Sequence, residues 1–409
     1  MSSQRRVAGG SRPRPGVAWR IGRFLESHPG APLTIAVRTL RIKGLAWLEP
    51  RVRDRRVRIV IGNWSSSHFK RATAADRRAA LALLRRSDVV VRAWDPERPP
   101  PVLANARAWI AHTEAGPSVL LCSADLTDKG LNANWEVVAA VDAADRRQVA
   151  DQVEAVAAEA ENCKETILSL VAGDQGQAGD SAVADNSIAP TPTRPETGAA
   201  QRIEAFLDAH PNGRVTVAVG FASVSGLAWL SERVASRPVT VVIGNAQHRR
   251  FRNAEAGDRV AALAFLRRPD VQLLNWYRKR GDTPAEAHLK AWVVDGTRPG
   301  VLTGSANLTS AGLFNNREIM VETNGPDSAS VHAQVRDLVR DAWDYKQELI
   351  GVIEQQPHAG QDKTERSANR VPTQPTTQAL PSAGGRSGCL SVLVIYASLV
   401  TGTLLVAMN

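Results

Sequence analysis

The sequence predicts an α/β fold of two tandem lobes, each a mixed β-sheet flanked by helices, with a transmembrane helix at the C-terminus. Three features carry that expectation. The chain contains one long internal repeat, each copy alternates β-branched runs with helical patterns, and a charge-free apolar stretch closes it.

The repeat sets the lobes. Trp47 in GLAWL matches Trp229 in GLAWL, and Asn63 in IGN matches Asn245 in IGN, both pairs offset by 182 residues (229−47 and 245−63). The register continues through Phe69 and Phe251, Arg85-Arg86 and Arg267-Arg268, and Trp94 and Trp276. Each copy also opens alike, with RIGRFLESHP at Arg20 and RIEAFLDAHP at Arg202. Two copies make a tandem duplication and not a solenoid. At 409 residues the chain accommodates them, at about 150 residues per domain.

Residues 1–18 are basic and rich in Gly, Pro and Ser, without an apolar signal core, and read as a disordered lead. The first lobe follows over 19–171. LTIAV at Leu33 and VRIVI at Val57 read as strands, and DRRAALALLRR from Asp76 as a helix. Residues 172–200 have linker composition. The second lobe, 201–354, repeats the pattern with VTVAV at Val215, VTVVI at Val239 and DRVAALAFLRR from Asp258. An amphipathic helix is expected to close each lobe. Its stripe in the first is Val149, Val153, Val156, Ala160, Cys163, Ile167 and Leu170, and in the second Val331, Val335, Leu338, Ala342, Tyr345 and Leu349. Residues 355–388 read as a Pro, Gln, Thr, Ser and Gly-rich tether. Leu390 to Met408, within 389–409, holds no charge and is long enough to span a bilayer. With Arg386 just before it, the expected arrangement is a tail anchor with a cytoplasmic body.

The densest chemistry lies in AHLKAWVVDGTRPGVLTGSANLTSAGLFNNRE, residues 287–318. His288 and Lys290 are two apart, so a strand puts both on one face. An imidazole nucleophile then sits beside a cation. The Gly-Ser-x-Asn turn at Ser305 and Asn307 can bring a hydroxyl and an amide to the same place. Such a set can attack a phosphodiester and hold its oxygens without a metal or cofactor.

The string His288-x-Lys290-x4-Asp295, then Ser305-x-Asn307 and Glu318, resembles the phospholipase D superfamily signature, in its nuclease-like form. The resemblance implies an active site between two motifs on a two-fold axis. One histidine attacks phosphorus; the other protonates the leaving oxygen and later activates water. It implies His288 as nucleophile, Lys290 and Asn307 on the non-bridging oxygens, and Ser305 in support. Asp295 would fix local structure, and Glu318 would orient a histidine across the site.

The first copy keeps the frame without the nucleophile. Asn105, Arg107 and His112 align with His288, Lys290 and Asp295; Ser123, Asp125 and Glu136 align with Ser305, Asn307 and Glu318. Asparagine cannot transfer a proton near neutral pH. Three readings stay open: a homodimer pairing two intact motifs, another acid among His68, His112 and His248, or a phosphodiester-binding scaffold of weak turnover.

Net charge is +10 and the pI about 10, which favours an anionic partner: nucleic acid first, phospholipid second. Arg278, Lys279 and Arg280, just upstream of His288, are the expected substrate-binding cluster. Cys122, Cys163 and Cys389 have no metal-ligand or disulfide spacing. The function these readings lead to is a membrane-tethered phosphodiesterase working through a phosphohistidine, with phospholipid hydrolysis or transphosphatidylation as the alternative enzyme.

Overall fold

The β-branched runs become central strands because both faces of each sheet are covered by helices. In the first lobe the chain runs α1 (Val17–Glu26), β1 (Leu33–Val37), α2 (Ile42–Leu48), β2 (Val57–Ile61), α3 (Ala74–Leu84), β3 (Val89–Ala93), β4 (Ala108–Thr113), β5 (Gly116–Cys122), β6 (Val138–Ala140), α4 (Ala143–Glu159), β7 (Glu161–Asn162) and α5 (Lys164–Ala172). The second lobe repeats this with α6 (Ala199–Ala209), β8 (Arg214–Val219), α7 (Val224–Val234), β9 (Val239–Ile243), α8 (Ala256–Arg267) and β10 (Val271–Asn275). A hairpin of β11 (Tyr277–Arg280) and β12 (Thr283–Glu286) is inserted before β13 (Lys290–Asp295) and β14 (Gly300–Gly304). Then come β15 (Met320–Glu322), α9 (Gly325–Asp341), β16 (Trp343–Asp344) and α10 (Lys346–Glu354).

This computed structural model describes residues 16–70, 72–94, 104–173, 198–252, 254–280 and 283–355, without the side chains of 278–285. Most of the expected lead and linker, and nearly all of the tether, lie outside the described residues, as does the whole C-terminal span. Among the described residues, no helix is long and apolar enough to cross a membrane.

The sheets share one topology, β6-β5-β4-β1-β2-β3-β7 and β15-β14-β13-β8-β9-β10-β16. Three parallel strands form the middle of each, and β4 or β13 joins antiparallel. Of the repeated tryptophans, Trp229 is buried in the core of its lobe and Trp47 packs half-buried against the core of its own. Trp47 meets Trp109 edge-on at 6.3 Å, and Trp229 meets Trp292 at 6.2 Å. Such a pair adds about 0.5–1.5 kcal/mol beyond its buried area.

One expectation is corrected. The closing amphipathic stripe is not a single helix in either lobe. Ala160 and Ala342 take extended backbone (ψ 144° and 158°), and a two-residue edge strand separates α4 from α5 and α9 from α10. The chain passes round the sheet edge there. Val149 and Val153 pack with Ile110 and Leu121, whereas Ile167 and Val171 join the core with Ile35 and Ile59. The steps of three and four survive the break because each helix buries its own apolar face.

The lobes share core. Val137 and Ala139 of the first pack among Leu289, Ala291, Val331 and Val335 of the second, while Ile319 and Val321 pack among Ala106, Ala108 and Ile110. Polar ties add to this: Arg20 meets Asp327 at 2.8 Å and Arg317 meets Glu159 at 2.9 Å.

Candidate active site

His288 sits just before β13, at the sheet end that faces the other lobe. Its backbone N–H donates to Trp135 O at 2.8 Å, and its counterpart Asn105 donates to Arg317 O at 2.9 Å. Each lobe thus hooks the strand entry of the other, which puts both motifs into one buried cluster.

The imidazole is oriented across the lobes. Nδ1 lies 3.2 Å from Ser123 O and 3.2 Å from Glu136 Oε2, while Nε2 lies 2.8 Å from Lys290 Nζ. Both partners at Nδ1 are acceptors, so Nδ1 carries the hydrogen and the Nε2 lone pair faces the lysine. Ser123 Oγ donates to Glu136 Oε2 at 2.6 Å and accepts from Val137 N at 2.8 Å, which fixes the carboxylate in turn. Burial, then the Lys290 charge, lowers the His288 pKa below the usual imidazole value; Glu136 opposes them. Burial, then Arg107, pushes the Lys290 ammonium well below its ordinary range.

Asn105 reproduces half of this. Its Nδ2 donates to Ser305 O at 3.2 Å and Glu318 Oε1 at 2.7 Å, the counterparts of the two Nδ1 contacts. Ser305 Oγ in turn donates to Glu318 and accepts from Ile319 N at 2.9 Å. The amide has no counterpart of Nε2, and among the described residues Asn105 Oδ1 is buried without a partner. Glu318 therefore reaches across the site as expected, onto an amide instead of a histidine. Burial pushes its pKa up, partly offset by the hydrogen bonds from Ser305 and Asn105.

Asn307 and its mate Asp125, expected on the oxygen side, differ in the same way. Asn307 Oδ1 accepts from Phe221 N at 3.1 Å, which leaves its Nδ2 for another acceptor. Its mate Asp125 accepts from Thr39 N at 3.0 Å and pairs with Arg107 Nε at 3.1 Å. Burial pushes the Asp125 carboxyl up, but the Arg107 and His288 charges outweigh it and hold the pKa at about 2. Arg107 Nη1 stays buried and unpaired. A single wide turn follows each motif, Lys129–Ala133 and Ala311–Asn315. It requires glycine, since a Cβ at Gly312 would stand 2.5 Å from Asn307 O and 2.9 Å from Asn307 N. Gly312→Ala is accordingly expected to cost about 1–3 kcal/mol and to weaken phosphate binding by displacing Asn307. Urea unfolding and phosphate titration together check it.

Asp295 stands apart from the cluster, in a local contact. It lies five residues beyond Lys290, so it points to the other face of β13, about 17 Å along, where it meets His332 Nε2 at 2.6 Å. The acid candidates separate too. His112 lies beside Thr34 Oγ1 (2.9 Å), away from the cluster, and His248 pairs with Glu348 (2.9 Å) and stacks on Tyr345. His68 has Nδ1 buried without a partner; burial, then Arg41, lowers its pKa while Asp125 raises it. The backbone of Arg278, Lys279 and Arg280 forms β11, paired with β12, and their side chains lie outside the described residues.

Arg38 was missed. It follows β1 at the register of Gly220 (220−38 = 182), and its charge acts on Arg107, Asp125 and Glu318. Burial, then Arg107, lowers its pKa. A Cβ at Gly220 would lie 2.9 Å from His288 Cδ2, so the intact lobe has room only for glycine there. Where the shorter Asn105 replaces the ring, arginine stands. Extending the repeat register past the motif would have found it.

No family model matches the chain, and no curated protein gives a significant match. Solved structures do. Phosphatidylserine synthase from Haemophilus influenzae Rd KW20 is 12% identical, with 86% of this chain and 92% of that chain covered and a TM-score of 0.48. Yeast tyrosyl-DNA phosphodiesterase is 13% identical over 74% and 85%, with TM-score 0.44. Nuc from Salmonella typhimurium, a phospholipase D family member, is 21% identical over 36% and 91%, with TM-score 0.26. At these identities and scores the likenesses carry no argument, and the chemistry rests on the residues above.

Proposed function

We propose that the chain is a phosphodiesterase that needs no metal and works through a phosphohistidine on His288. The observation that carries this is the held imidazole: Nδ1 fixed by Ser123 O and Glu136, Nε2 free of a proton and 2.8 Å from a buried ammonium. A phosphodiester anion entering the cluster displaces the Lys290 contact. Lys290, Asn307 Nδ2 and Arg107 Nη1 then hold its non-bridging oxygens, and Nε2 attacks phosphorus. A lowered imidazole pKa keeps that lone pair available at neutral pH.

The net charge of +10 supports nucleic acid as the anion bound, with phospholipid as the alternative. A tail anchor would hold either activity at a membrane; it rests on the uncharged stretch from Leu390 to Met408.

The test uses the full chain and its His288→Ala variant in excess EDTA, with bis(p-nitrophenyl) phosphate, single-stranded DNA and phospholipid vesicles. The parent is expected to release nitrophenolate and to yield an acid-labile, base-stable phosphoprotein. The variant is expected to do neither. Equal rates in both proteins would remove His288 from the chemistry.

A further inference from the structure

We propose that Asn105 and Arg38 confine this site to substrates whose leaving group departs as a stable oxyanion, a phosphoanhydride above all, and not as an alkoxide. The inference rests on His288 being the nucleophile. It arises from what stands opposite.

A second imidazole there would give the leaving oxygen a proton. Asn105 keeps the structural contacts of that histidine, to Ser305 O and Glu318, and has no proton to give. Its Oδ1 is an acceptor, buried and unpartnered. The same lobe carries Arg38 at the register where the intact lobe is limited to Gly220 by the ring of His288. The two differences complement each other: an imidazole with glycine in one lobe, an amide with a cation in the other. A guanidinium keeps its charge in a protein, and this one acts on Arg107, Asp125 and Glu318. Arg107 is already paired with Asp125, so Arg38 is the cation this lobe adds to the leaving-group pocket. Such a pocket stabilises an anion and protonates nothing.

In the first step the Nε2 lone pair forms the N–P bond, and the P–O bond breaks with its electron pair on the leaving oxygen. A phosphate monoester leaves readily as an anion, its last pKa being about 6. An alkoxide has a conjugate acid about as weak as water, near ~15.7, and departs slowly without an acid. In the second step water attacks phosphorus, the N–P electrons return to Nε2, and the water proton passes to solvent. Without a base in Asn105's place, the phosphohistidine persists between the steps. Ordinary nucleic-acid linkages are then bound more readily than they are cut.

The test compares the full-length parent, Arg38→Gln, and Asn105→His combined with Arg38→Gly, the pairing of the intact lobe. The probes are P1,P2-di(adenosine-5′) pyrophosphate, the p-nitrophenyl ester of thymidine 5′-phosphate, and the dinucleotide TpT. In the parent, the first two are expected to turn over with an initial burst and TpT at least ~10²-fold more slowly, the lower end of what a general acid contributes. The double variant is expected to raise TpT cleavage by at least ~10²-fold and to abolish the burst. Arg38→Gln is expected to slow the pyrophosphate more than the aryl ester. TpT cut as fast as the pyrophosphate by the parent overturns the inference. So does an unchanged pyrophosphate rate in Arg38→Gln, a measurement that stands even if the double variant fails to fold. Cleavage of the aryl ester that survives His288→Ala removes the underlying reading instead.

Discussion

Replacing Glu136 by glutamine is expected to lower phosphoryl transfer by ~10²- to 10⁴-fold, the range seen when the residue orienting a catalytic imidazole loses its charge. Glu136 belongs to the lobe without the nucleophile, and its buried carboxylate meets His288 Nδ1 at 3.2 Å. The amide retains one acceptor but is free to turn its NH2 toward Nδ1, which favours the wrong tautomer. It also removes the charge that raises the His288 pKa. The sign follows. His288 loses its proton at lower pH in the variant, so the acid limb of the rate profile moves to lower pH and its plateau falls. Inorganic phosphate binding, proposed to rest on Lys290 and Asn307, is expected to change little. The mirror variant, Glu318→Gln, is expected to cost far less, because its partner is the Asn105 amide. A pH–rate profile of both variants decides the matter. Equal losses would mean that the two carboxylates act only as structure.

Asp125→Asn is expected to produce the largest loss of stability at the site, about 3–5 kcal/mol at pH 7. Arg107 is buried and its charge is met by Asp125 at 3.1 Å, so the amide leaves an uncompensated cation inside the cluster. The pair also has a pH signature. The folded Asp125 pKa is depressed to about 2, against an unfolded value near 3.9. The folded state therefore gains stability above about pH 4 and loses it as pH falls toward 2, on the order of 2 kcal/mol. Urea unfolding of the full chain at pH 7, 4 and 2.5 should show this acid loss in the parent and its absence in the variant. Parallel curves for the two proteins would assign the acid slope to other groups.

Much of the fold was legible. The runs at Leu33, Val57, Val215 and Val239 are the central strands β1, β2, β8 and β9, because β-branched residues buried on both faces leave few alternatives. The repeat register correctly paired Asn105 with His288 and Glu136 with Glu318, a pairing mirrored in their hydrogen bonds. The closing helices were misread because a stripe in steps of three and four cannot show that the chain changes sheet face midway. Asp295 belongs to the motif by spacing, and the alternation and rise of β13 take it to the other face and far end of the strand, where it contacts His332.

The sequence by itself determined which chemical groups the two motifs carry: one imidazole at His288, one lysine two residues on along the same strand face, and an asparagine where a second imidazole would stand. Only the tertiary structure decided what those groups do for one another. His288 and Glu136 are 152 residues apart, Asn105 and Glu318 213. No local pattern encodes such contacts, since they exist only once two separately formed sheets share a core. The hydrogen on Nδ1, the free lone pair on Nε2 and the cation opposite them are consequences of that packing, because burial makes each polar group depend on the partner the other lobe supplies.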